Sequence, residues 1–119
     1  MWKPNYSKVP KVQKVYNYPL KIYDNGGKSW DRYTVVYVHR DNRTPYTYSK
    51  TVFSGYDGVC MSENPTHPQG CGSYQEGIEP GLHLGKRILF KDLPKRCRDL
   101  VKSDIRDMKK SMKKRGIKL

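Results

Sequence analysis

The sequence has no long run of apolar residues. No segment approaches the length that spans a bilayer, and the opening MWKPNYSKVPKV lacks the apolar stretch of a signal peptide. Cysteines are few as well: Cys60, Cys71 and Cys97 show no CxxC spacing, which argues against a disulfide framework. We therefore expect a cytoplasmic protein with reduced thiols and no membrane partner.

Acidic residues are also scarce. The 119 residues include 24 lysines and arginines against 11 aspartates and glutamates, which gives a formal net charge of +13. A field of this sign attracts polyanions, so nucleic acid is the expected partner, with simple solubility as the alternative explanation. Hydrophobic residues make up only 35% of the chain, but ten tyrosines, two tryptophans and two phenylalanines argue against disorder.

The residue pattern predicts one α+β domain over residues 1–119. Residues 1–10 are expected to form an N-terminal arm, and residues 11–90 a small antiparallel, tyrosine-rich sheet of four or five strands with a long loop over 62–85. Residues 92–115 are expected to form one long amphipathic helix. Asn25-Gly26 is a hairpin signal. The predicted strands are 11–23, 32–39, 46–53, a short strand within GYDGVCMS, and 86–90.

The C-terminal helix is predicted from apolar residues that recur at helical spacing. Asp92 is a candidate cap, Pro94 suits the first turn, and Gly116 is a plausible end. At 100° per residue, the apolar side chains fall within an arc of about 140°. They are Leu93, Cys97, Leu100, Val101, Ile105, Met108 and Met112.

Basic residues are sorted to one flank of this helix. Residues 95–118 hold 11 basic and three acidic residues, and six of the basic ones fall within about 80° beside the apolar arc. Their repulsion would be offset by an anion lying against the flank. We predict a nucleic-acid-binding surface here, with a solvated helix face or a protein interface as alternatives. Its predicted residues are Lys86, Arg87, Lys95, Arg98, Lys102, Arg106, Lys109 and Lys113.

Tyrosines alternate with lysines in the sheet. The segment 14–23 and the segment 46–50 each combine both residue types. Exposed aromatic rings on a basic surface can stack on bases and favour single strands. Tyrosine is equally an ordinary filler of half-buried sheet faces, so both interpretations stay open.

The stretch MSENPTHPQGCG, residues 61–72, contains residue types common in active sites. Cys60, His67, Cys71 and His83 could supply four zinc ligands, but their spacings are unlike those of structural zinc sites. A histidine could activate Cys71 as a nucleophile, or act as a general base, but no known signature supports either role. We predict no metal site, no cofactor and no catalytic residue; enzyme activity stays uncertain.

The same stretch is rich in residues that restrict or free the backbone. Asn64 and His67 each precede a proline and are therefore biased to extended geometry. A defined path of this kind favours an ordered recognition loop beside the basic helix. Its predicted residues are Asn64, His67, Gln69 and His83.

GVCMSENPTHPQGCG and HLGKRILFKDLPKRCRDLV resemble a group of small proteins of phages and mobile elements. That group shares an MSxNPxHPQGxG loop and an HLGKRIxFxDLPxxC segment leading into a helix. The resemblance covers about residues 31–105 and implies an accessory protein acting inside a bacterial host. Cys60 and Cys71 fall outside the shared pattern, which argues further against thiol or zinc chemistry. The positions it singles out are Asn64, His67, Pro68, Gly70, His83, Gly85, Lys86 and Arg87.

Three functions remain open at this stage. The leading hypothesis is a small, basic, non-catalytic nucleic-acid-binding accessory protein. The second is a phage-encoded inhibitor or adaptor that docks on a host protein or nucleoprotein complex, because basic charge also accelerates such encounters. The third is a small hydrolase or nuclease that depends on His67 and His83. DNA and RNA are not distinguished by the sequence.

Overall fold

The computed structural model of the protein describes residues 9–39, 55–62 and 71–116. In these residues, six strands form one antiparallel sheet and one long helix packs on it, which is the predicted α+β fold. The sheet order is β1-β2-β3-β4-β5, with β6 also paired to β2. The elements are β1 Gln13–Val15, β2 Tyr18–Asp24, β3 Tyr33–Tyr37, β4 Tyr56–Met61, β5 Gly72–Ile78, β6 Lys86–Arg87 and α1 Lys95–Lys114.

The first predicted strand, 11–23, is a hairpin. The chain reverses at Tyr16 and Asn17, whose φ angles are 49° and 65°, and Pro19 lies within β2 opposite Lys14. The next reversal, between β2 and β3, follows the expected Asn25-Gly26 signal, since Gly26 has a φ of 78°. The β1–β2 connection is thus a two-residue turn, whereas residues 25–32 join β2 to β3 through a longer loop that has positive φ at Gly26 and Gly27.

Strands β1 and β6 share one edge of β2. β1 pairs with the first half of β2 and β6 with its last two residues, and both run antiparallel to it. Gln13 joins the two: its Nε2 donates to the Ile88 carbonyl at 2.7 Å, and its Oε1 accepts from the Phe90 amide at 2.9 Å. One amide side chain thus satisfies backbone groups that no sheet partner reaches.

The main core lies between α1 and one face of the sheet. Tyr18, Leu20 and Ile22 of β2 alternate onto this face, and every residue of β3 is buried, so β3 is covered on both sides. The predicted apolar arc of α1 packs against them: Leu93, Cys97, Val101, Ile105, Met108 and Met112 are buried, and Leu100 is partly buried. The helix prediction is confirmed.

Several predicted boundaries were wrong. The long loop expected over 62–85 contains strand β5, whose backbone pairs with β4 although its glycines and polar residues have low strand propensity. The strand expected over 86–90 is two residues long and gives way to a 3-10 turn at Phe90–Asp92. Asp92 caps this turn by accepting the Leu89 amide at 3.1 Å, so α1 begins later, at Lys95. The strand expected over 46–53 lies outside the described residues.

Gly116 ends the helix as predicted, with a φ of 73° that suits a left-handed C-terminal residue. In the part of the chain that is described, no helix combines the length and the apolar character that crossing a membrane requires.

Candidate functional site

The predicted basic residues of α1 form two rows on one side of the helix. Arg98, Lys102 and Lys109 are half-buried beside the sheet, whereas Lys95, Arg106 and Lys113 are exposed. The aliphatic parts of the three half-buried side chains therefore lie along the protein surface, while their charged ends reach solvent. The six residues are called the basic flank below. Because the apolar side of α1 is fixed in the core, the orientation of this flank is fixed too.

One carboxylate lies at the border of the basic flank. Lys95 Nζ contacts Asp99 Oδ2 at 2.9 Å, and both side chains are largely exposed. This hydrogen bond from Lys95 lowers the pKa of Asp99, and the charges of Lys102 and Arg98 lower it further. The charge sorting is therefore less strict than the helical arc predicted. Within the described residues, Lys95 is nevertheless the only member of the flank in an ion pair with a carboxylate.

A second helical carboxylate, Asp104, is directed into the core. It is 1% exposed and accepts the hydroxyls of Tyr37 at 2.7 Å and Tyr74 at 2.5 Å. Burial raises the pKa of Asp104, and the two tyrosine hydrogen bonds lower it in part. This charge is thus held on the sheet side of α1 and does not neutralise the basic flank.

The basic flank continues onto the β1–β2 turn. Lys109 Nζ donates to the Tyr16 carbonyl at 2.8 Å, which ties the inner row to this turn. Tyr16 is 51% exposed, whereas Tyr18 and Tyr23 of the next strand are buried. The alternation of tyrosine and lysine therefore resolves into core tyrosines and one exposed ring beside the flank. The lysine and tyrosines of 46–50 lie outside the described residues.

Lys86 and Arg87 do not join one surface. They are consecutive in β6, so their side chains point to opposite faces of the sheet. Arg87 pairs in register with Tyr23, on the face away from α1, and Lys86 with Asp24, on the face that α1 covers. Only Lys86 lies on the same side of the sheet as the basic flank.

Comparisons of this chain with protein-family models, curated proteins and solved structures give no match.

The base of the predicted recognition loop adjoins the first turns of α1. The Ser62 amide donates to the Cys71 carbonyl at 2.9 Å and closes the loop, and Cys97 Sγ of α1 approaches the Ser62 carbonyl at 3.7 Å. A Cβ added to Gly72 would meet the Leu100 side chain at 2.7 Å. The residues that flank the loop, Ser62 and Cys71–Gly72, thus lie beside the helix. Asn64, His67 and Gln69 themselves lie outside the described residues.

His83 lies elsewhere. It is exposed in the 3-10 turn Leu82–Leu84, which precedes β6. Gly85, after this turn, has a φ of 118°, and a Cβ there would lie 2.2 Å from the Asp24 carbonyl oxygen. The described residues contain no group of three or more histidines, cysteines, aspartates or glutamates that could hold a metal. His67, the partner of His83 in the hydrolase hypothesis, lies outside the described residues.

Sequence reasoning missed the groups that orient the basic flank. Asp104 falls at the centre of the apolar arc of α1, and a charge at that position was the available sign of a buried partner. Tyr16 was placed within a strand because the turn at Tyr16 and Asn17 lacks glycine. The role of Gln13 could not be predicted from local sequence, since its hydrogen-bond partners lie 75 and 77 residues away.

Proposed function

We propose that this protein is a small non-catalytic nucleic-acid-binding accessory protein, and that the basic flank of α1 contacts phosphates. The observation that carries the proposal is the fixed flank: six basic side chains on one side of a helix, with a single carboxylate at their border. A phage or mobile-element context rests on the resemblance of the loop and β6 segments alone. DNA and RNA share the phosphate chemistry that this flank would recognise.

The energetics favour a polyanion over solvent. Like charges three or four residues apart destabilise a helix by a few tenths of a kcal/mol per pair, so an unoccupied flank is strained by its own charge. Each lysine or arginine that neutralises a phosphate also releases condensed counterions, which adds favourable entropy. Asp104 is withdrawn into the core and therefore does not repel an anion at the surface.

The test is a charge reversal on the basic flank. Lys102→Glu, Arg106→Glu and Lys113→Glu together should weaken binding by up to about 100-fold, at up to about 1 kcal/mol for each exposed contact. The slope of log affinity against log salt should fall by about 2–3, because about three phosphate contacts are lost. Lys109 is spared since its hydrogen bond to Tyr16 supports the turn. Fluorescence anisotropy with labelled DNA and RNA over a salt series measures both quantities.

The control reverses three other charges of the same helix. Arg96→Glu, Lys110→Glu and Lys114→Glu change the net charge equally but lie about 60–100° around the helix from Lys95. This variant should lose much less affinity. Equal losses in both variants would show that overall charge binds the polyanion and that the flank is no site. Retention of a host protein after nuclease treatment, without direct nucleic-acid binding, would favour an inhibitor or adaptor instead.

A further inference from the structure

We propose that Tyr16 is a base-stacking residue and that the nucleic acid bound beside it is single-stranded. This inference rests on the proposed function, since the basic flank supplies the phosphate contacts. The inference adds that the bound nucleic acid is single-stranded, which the basic flank by itself does not determine. The juxtaposition that carries it is the exposed ring of Tyr16 on a strained turn whose backbone carbonyl, that of Tyr16, accepts a hydrogen bond from Lys109 of the flank.

The backbone of Tyr16 is in an unfavourable conformation. Its φ of 49° lies in the left-handed region, which an asparagine or glycine adopts easily and a bulky side chain does not. In the described residues, only Tyr16 and Asn17 have positive φ without being glycine. Asparagine or glycine at position 16 would form the same turn with less strain, so folding alone does not account for a tyrosine there.

The exposure of Tyr16 sets it apart from the other tyrosines that the structure describes. Those of β2 and β3 are buried, and Tyr56 and Tyr74 are partly buried, whereas Tyr16 is 51% exposed. Its ring therefore contributes little to the core. Leaving the ring exposed also forgoes the free energy that burial of its apolar area would provide. A ring in this position is free to contact a flat aromatic partner.

The surrounding charges fit a nucleotide. Lys109 Nζ donates to the Tyr16 carbonyl. Arg106 and Lys113 lie about one helical turn before and after Lys109, roughly 4.5 and 6 Å from it along the axis. A base stacked on the ring would thus have cations near the phosphates on either side. The bases of a duplex are already stacked on one another, so such a contact requires an unpaired base.

The experiment compares three labelled probes of equal length: an oligothymidine, its abasic counterpart and a duplex. Tyr16→Asn should weaken binding of the oligothymidine by about 5- to 150-fold, the range for loss of one base–aromatic stack. Binding of the abasic strand and of the duplex should change little, because their contacts are to phosphates. Tyr16→Phe should retain the affinity for oligothymidine.

The melting temperature distinguishes the stacking role from a merely structural role of Tyr16. Asparagine tolerates the left-handed region, so Tyr16→Asn should melt at the same temperature as the wild type or higher while it loses affinity. The matched control is Trp30→Asn, which removes a 62%-exposed ring from the hairpin loop at the other end of β2 and should leave all three affinities unchanged.

The outcomes separate the two proposals. Salt-dependent binding that responds to charge reversal on the flank but not to Tyr16→Asn would overturn the stacking role and leave the proposed function intact. An equal loss on all three probes would overturn it too, since the turn would then act only through the flank. Failure of the wild type to bind any probe would end both proposals.

Discussion

At the scale of single residues, Asp104 determines how the charge of α1 is distributed. A carboxylate without partners would be costly at 1% exposure, and the hydroxyls of Tyr37 and Tyr74 supply donors on both oxygens. Burial and the nearby Asp104 charge raise the pKa of Tyr37 well above its ordinary value, so the phenol stays a donor at neutral pH. The three side chains connect the middle of α1 to β3 and β5.

This arrangement predicts an unusual pH dependence. Because the folded-state pKa of Asp104 is raised above 3.8, the unfolded chain releases this proton first as the pH rises. The contribution of Asp104 to the free energy of unfolding should therefore decrease from about pH 4 upward, through its folded-state pKa. Urea unfolding of the wild type and of Asp104→Asn between pH 4 and 7 measures it as the difference between the two.

The comparison with Asp104→Asn is needed because the titration of Asp24 changes the free energy of unfolding in the opposite direction. Burial raises the pKa of Asp24, but hydrogen bonds from Arg32 and Gly26 outweigh it and hold the pKa below its ordinary value. Asp24 therefore stabilises the fold above its unfolded-state pKa and loses that contribution as the pH falls. Parallel curves for the wild type and Asp104→Asn would show that the buried carboxylate does not titrate as inferred.

At the scale of elements, Gly85 joins the 3-10 turn to the sheet. Its φ of 118° belongs to glycine, and its missing side chain leaves room for the Asp24 carbonyl. The resemblance singled out Gly85 as a position to probe for function. Its geometry accounts for glycine there by the close approach of two backbones, without any ligand.

Gly85→Ala should therefore destabilise the protein by more than about 2 kcal/mol, from the backbone strain and the overlap with Asp24 together. Gly27→Ala is the matched control: Gly27 has a φ of 86°, but its surroundings are open, so only the strain of about 1 kcal/mol is expected. Urea unfolding at neutral pH compares the two. Equal, small losses would mean that the chain relaxes around position 85 and that the approach to Asp24 is not constraining.

The elements differ in how far the sequence predicted them. α1 has strong helical periodicity, and β3 lies in a run rich in β-branched and aromatic residues. Local sequence therefore predicted both elements, and the structure confirms them. β5 was missed because GSYQEGI has little strand propensity and is held by its pairing with β4. The basic flank followed from helical geometry, but its link to Tyr16 required a contact across 93 residues of sequence.

At the scale of the whole molecule, net charge opposes compactness. A formal charge of +13 on 119 residues means that folding brings like charges together, most densely on α1. Sodium chloride screens exposed charges, with a Debye length that falls from about 30 Å at 0.01 M to about 10 Å at 0.1 M. The folded protein should therefore be more stable in moderate salt than in very low salt.

We expect the melting temperature to rise by about 4 °C between these conditions, which corresponds to roughly 1 kcal/mol for a domain of this size. Differential scanning fluorimetry measures the rise. The triple glutamate variant of Lys102, Arg106 and Lys113 should show a smaller one, because part of the repulsion is already removed. A melting temperature that is flat or falls with salt would indicate that the positive charges do not strain the fold.

The position of α1 in the chain also bears on how the protein is made. Among the described residues, the helical cover of the sheet face that carries Tyr18, Leu20 and Ile22 comes from residues 93–112. Gln13 of β1 also bonds to Ile88 and Phe90, which lie 75 and 77 residues later in the chain. A nascent chain that ends before α1 exposes this apolar face, which is where chaperones act. Folding must therefore wait until almost the last turn of the helix has been synthesised, and then proceeds through long-range contacts that close slowly.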